Sequence, residues 1–99
     1  MTPTEIDSYS AGPVVDALVA EKLGLPTGVH YSNNDGLVHL ILMALDERGF
    51  ELKVYDCNAG YEVCFSRDGH QFMSTDKKKS LAVCRAALKA VSTPEGSGA

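Results

Sequence analysis

A chain of 99 residues, 44% of them hydrophobic, can fill one modest core and is too short for two. Thirteen acidic against nine basic side chains give a formal charge of -4, which excludes a protein whose affinity comes from covering many phosphates with a basic face. No run approaches the ~20 apolar residues that span a bilayer.

Residues 1–12 read as a polar arm. Its start, MTPTEIDSYS, has neither the basic region nor the apolar run of a secretory signal, so a cytoplasmic location is expected. Pro13 suits the first turn of a helix, and VVDALVAEKL runs on to a stop at Gly24. This first helix, 13–23, has Val14, Ala17, Leu18 and Leu25 on its apolar side. In the loop HYSNNDG, Ser32 or Asn33 is placed to cap a second helix over 34–48, ended by Gly49. That helix is apolar nearly all round, with Leu37, Val38 and an unbroken run from Leu40 to Leu45. It is therefore expected to be covered from two directions, by a sheet and by either the first helix or a second copy of the chain.

After Gly49 the period changes to two. Phe50, Leu52 and Val54 alternate with Glu51, Lys53 and Tyr55, the turn CNAG follows, and Tyr61, Val63 and Phe65 alternate with Glu62, Cys64 and Ser66. RDG at 67–69 turns the chain into a third strand over 70–74. Thr75 or Asp76 is expected to cap a last helix, on which Leu81, Cys84, Leu88 and Val91 fall on one side. The small polar residues 92–99 predict a disordered tail. The result is one α+β domain over 13–91, in the order α-α-β-β-β-α, with a three-stranded antiparallel sheet packed with helices.

Chemistry-bearing patterns are few. Cys57, Cys64 and Cys84 are odd in number and lack CxxC spacing, so reduced thiols are expected, with Cys64 and Cys84 buried. His30, His39 and His70 are scattered without the neighbours a metal needs. No nucleophile elbow or glycine-rich phosphate loop occurs. Neither a catalytic residue, a cofactor nor a metal is expected, and the chain reads as no enzyme.

Two stretches remain as candidates for binding a partner. Tyr31, Ser32, Asn33 and Asn34 stand before a helix whose N-terminal N–H groups suit a phosphate or carboxylate, with Tyr31 able to stack on a base. Lys77, Lys78 and Lys79 open the last helix, where positive charge opposes the macrodipole and adds no helix stability. The α-β-β-β-α core ending in this lysine-led helix resembles the double-stranded RNA-binding domain, which lays such lysines across phosphates. The short CNAG loop supplies no group to enter a minor groove, and nucleic acid is the less favoured partner.

DALVAEKLG, YSNN before a helix, the hairpin and the final CRAALKA together resemble the phage ABA sandwich domain, a family of small phage proteins. The likeness spans about residues 14–91. It implies a sandwiched α+β accessory protein in the cytoplasm of a host cell and brings no catalytic motif. By analogy such a protein acts by binding, either blocking a host defence protein or sequestering a small signalling nucleotide, with homo-oligomers as a further expectation.

Overall fold

The computed structural model describes residues 2–58 and 60–92, so all but the first residue of the tail expected over 92–99 lies outside the described residues. The elements are α1 (Pro3–Asp7), α2 (Pro13–Leu23), two successive 3-10 turns (Tyr31–Asn33 and Asp35–Leu37), α3 (Val38–Glu47), β1 (Glu51–Cys57), β2 (Gly60–Arg67), β3 (His70–Asp76) and α4 (Lys79–Ser92). The strands form one antiparallel sheet in the order β1-β2-β3, and the class is α+β.

Local chemistry accounts for most boundaries. Pro13 opens α2, and Gly24 ends it in the left-handed conformation (φ 68°) with its N–H donated to the Ala20 carbonyl. Asp68 and Gly69 both take positive φ between β2 and β3, as a tight two-residue hairpin turn requires. Gly60 lies against the far end of β3, where a Cβ would overlap the backbone of Asp76 and Lys77. The expected single helix over 34–48 is instead a 3-10 turn followed by α3 from Val38. Asn34 caps the turn, its side chain accepting from the Gly36 N–H at 2.9 Å.

The strand register puts Leu52, Phe65 and Phe72 in one row and Val54, Val63 and Ser74 in the next, all on one face. Val63 and Phe65 on the central strand are fully buried there. Phe50 adds an edge-to-face contact with Phe72, ring centroids 6.0 Å apart, and the Arg67 guanidinium lies 4.4 Å over the Phe50 ring.

α4 covers β2 and β3 on this face and is itself covered by α2, the first 3-10 turn, α3 and α1. Ser80 to Cys84, Ala86 to Leu88 and Ala90 are all buried. The enclosed helix is therefore α4, which corrects the expectation for residues 37–45. On α3 only Val38, Ile41, Ala44 and Leu45 are buried, and Met43 is 59% exposed. The apolar excess of α3 is largely taken up by partial burial of Leu40 and Leu42 against the core. The buried side of α2 is likewise Val15, Asp16, Val19, Ala20 and Leu23, with Val14 60% exposed. Burying a Val or Leu side chain is worth ~1.5–3 kcal/mol, so the Val15, Val19 and Leu23 ridge is what seats α2 on α4.

The segment read as a polar arm is also structured. Thr2 and Glu5 form a reciprocal capping box at the start of α1, and Ile6 enters the core at 1% exposure. Arg85 donates from Nε to the Tyr9 carbonyl at 3.0 Å, and Lys89 pairs with Asp7 at 2.8 Å. These two α4 side chains hold α1 against the domain.

Enclosure of α4 sets the first expected outcome. Ala86→Leu should cost about 1–3 kcal/mol by overpacking a site with no spare volume. Met43→Ala on α3 should stay within ~0.5 kcal/mol. Urea denaturation of the two variants compares them, and the reverse ranking would place the enclosed helix at α3.

Candidate functional site

Asp16 sits in the first turn of α2, 6% exposed. Its Oδ1 accepts from the Ser32 N–H at 2.8 Å and from the Ser32 hydroxyl at 2.7 Å. The same Ser32 oxygen accepts from the Gly12 N–H at 2.9 Å, and the Ser32 carbonyl accepts from the Ser80 hydroxyl at 2.8 Å. A polar column thus runs from α2 through the first 3-10 turn into α4. Beside it Tyr31 is fully buried and donates its hydroxyl to the Pro26 carbonyl at 2.6 Å. Burial foremost, then the charge of Asp16 and the neighbouring Cys84, raise the Tyr31 phenol above its ordinary range.

Tyr31 and Ser32 are therefore interior struts, which corrects their expected role in meeting a ligand. The 3-10 turn points both side chains inward, leaving no ring face for a base to stack on. Asn33 and Asn34 are exposed.

The two candidate stretches meet in space. Lys78 Nζ donates to the Asn33 side-chain oxygen at 2.6 Å. Lys77 and Lys78 are exposed, Lys79 is half-buried, and α4 begins at Lys79, two to three residues later than expected from a Thr75 or Asp76 cap. Its start is already supplied with anions. Asp35 Oδ1 accepts from the Ser80 N–H at 3.1 Å, and Asp76 Oδ2 accepts from the Lys78 N–H at 2.8 Å. Asp76 also pairs through Oδ1 with Arg85 at 3.3 Å. Two of the N–H groups that would attract a phosphate, those of Lys78 and Ser80, are met internally by carboxylates.

Two of the three thiols are enclosed. Cys84 is fully buried, and desolvation, with the Asp16 charge second, pushes its thiol up to about 12. Cys64 is buried and Cys57 is exposed at the end of β1. His39 Nδ1 lies 2.9 Å from the Gly36 carbonyl, and among the described residues no hydrogen bond joins a cysteine to a histidine. His30, Asp16 and Ser32 are neighbours, but Ser32 bonds directly to the carboxylate while His30 Nδ1 stands 3.7 Å from the other carboxylate oxygen. A hydrolytic triad needs the imidazole between serine and acid, and an accessible hydroxyl. Neither condition holds. Among the described residues no group of three or more His, Cys, Asp or Glu side chains is placed to hold a metal, and no helix is long and apolar enough to cross a membrane.

One cleft, of about 600 Å³, runs between α2 and the loop before Tyr31, lined by Pro13, Asp16, Ala17, Glu21, Thr27, Gly28, Val29 and His30. Sequence reasoning missed it. Asp16 in the first turn of a helix is ordinary in a sequence, and the only signal of its burial is the Val15, Val19, Leu23 spacing on either side.

Two outcomes are expected. Asp35→Ala removes a cap that reaches α4 across the fold and should cost ~0.5–2 kcal/mol in urea denaturation, against less than ~0.5 kcal/mol for Lys77→Ala. The native Cys84 thiol keeps its proton up to about 12, whereas its ordinary value is 9.0. Stability is therefore full below pH 9 and falls as pH rises toward 12, by at most ~1.4 kcal/mol per pH unit from this thiol. A pH series of urea midpoints should show this fall, shallower in Cys84→Ala, and native alkylation should mark Cys57 first.

Comparison with protein-family models, with curated proteins and with solved structures finds no match.

Proposed function

We propose that this chain is a non-enzymatic binding protein that counters a host defence, as its likeness to small phage accessory proteins implies, by holding a host protein or a small nucleotide signal in the host cytoplasm. One observation supports the non-enzymatic part: the buried nucleophiles are enclosed, with Ser32 locked to Asp16 and Cys84 held as a neutral thiol. Between the two kinds of partner, a host protein has the better support. The chain is acidic, and the start of α4 offers Lys77 and Lys78 beside Asp35 and Asp76, a weak setting for a phosphate. The same carboxylates weigh against the alternative of a duplex-RNA module built on Lys77 to Lys79.

A binder and an enzyme differ in stoichiometry. Titrating the chain into its host target should inhibit linearly up to an equimolar endpoint, and inactivation by far less than one equivalent would overturn the reading. In the nucleotide version, a cyclic dinucleotide or ADP-ribose signal at about 100 times its Kd should add ~2.7 kcal/mol of native stability and be recovered intact. Chemical conversion of that nucleotide sinks the proposal.

A further inference from the structure

Asp16 Oδ1 accepts two hydrogen bonds from Ser32, whereas Oδ2 is buried without a hydrogen-bond partner. Buried polar atoms nearly always have partners, and an ionised carboxylate has the strongest need of one. Among the described residues the only other such side-chain atom is the Ser92 hydroxyl at the end of α4. Asp16 is 6% exposed and lines the cleft between α2 and the loop before Tyr31. The His30 ring stands over Oδ2, its side chain 78% exposed and its Nδ1 at 3.7 Å, beyond hydrogen-bond reach.

We propose that this cleft binds a primary alkylammonium group, with Asp16 Oδ2 as its anion and Pro13, Ala17 and Val29 against its alkyl stem. The surroundings select that chemistry. Glu21 lines the same cleft, so two carboxylates disfavour an anion. A metal ion would find one carboxylate oxygen and one imidazole, too few for its usual shell. A guanidinium prefers two parallel bonds to both oxygens of a carboxylate, and Ser32 already fills Oδ1. An ammonium needs one strong acceptor, and its remaining N–H groups can stay hydrated at the cleft mouth. Entry requires the exposed His30 ring to swing aside, since Oδ2 itself has no open surface. The site does not depend on the counter-defence reading.

The alkylammonium can come from a free amine or from a lysine side chain of a partner protein. Titrating the labelled full chain with n-butylammonium, and separately with acetyl-lysine amide, should give saturable amide shifts at Val29 and His30 in nuclear magnetic resonance spectra. The tighter of the two probes identifies the source. Butyltrimethylammonium, which has the charge but no N–H, should bind at least about tenfold more weakly, as should Asp16→Asn. The asparagine keeps a carbonyl oxygen for Ser32 and replaces the anionic oxygen with an amide. Should that variant not fold, Ala17→Leu fills the cleft from the exposed side of α2 without touching Ser32, and it must abolish the shifts. His30→Ala should bind as well as the parent chain or better. The proposal fails if the parent chain shows no saturable shift, if the quaternary ion binds as tightly as the primary one, or if Ala17→Leu binds like the parent.

Discussion

A helix with neighbours on every side can carry only side chains that fit the gaps those neighbours leave, and α4 lives under that constraint. Its backbone must approach both the sheet and α2, so Ala82, Ala86, Ala87 and Ala90 recur where larger residues would hold the layers apart. Among its long side chains, Leu81 and Leu88 are core residues, and Arg85 and Lys89 reach the edge beside β3 and take hold of Tyr9 and Asp7. Packing and polar contacts on this one element thereby decide where α1, α2 and the sheet sit.

Enclosure also explains the polar column. The first 3-10 turn passes directly over α4, and its backbone groups need partners in a region closed to water. Asp16 serves the Ser32 N–H from above and Ser80 serves the Ser32 carbonyl from below. A charged residue in the core of so small a domain is costly to desolvate, and here it takes the place of the water that would otherwise satisfy a buried turn.

How much of this was legible depended on the residue type carrying the message. The three strands and their turns were plain, because Leu52, Val54, Val63 and Phe65 alternate with polar residues and Asp68–Gly69 and Gly60 fit only tight turns. The enclosed helix was half legible. Leu81, Cys84, Leu88 and Val91 mark one stripe, but the opposite side is Ala and Ser, which sit equally well in water or in a core. The same ambiguity misdirected attention to α3, where a continuous apolar run suggested enclosure although Met43 stands in solvent. Ile6 was hidden as one apolar residue among polar ones. Of the candidate binding residues, the sequence brought forward Tyr31 and Ser32 for their chemistry, whereas their roles are structural, that of Ser32 set by Asp16, sixteen positions away. Nothing local in a chain announces a partner that distant.

The central helix follows every other described element along the chain. Until it arrives, Val15, Val19, Tyr31 and Ile41 have no surface to close against, because α2, the 3-10 turn and α3 meet chiefly through α4. Its own first turn is in return completed by Asp35, forty-five positions earlier. Closure of the N-terminal elements therefore waits on α4, which raises the contact order of the fold and slows its folding relative to a bundle of sequence-local helices.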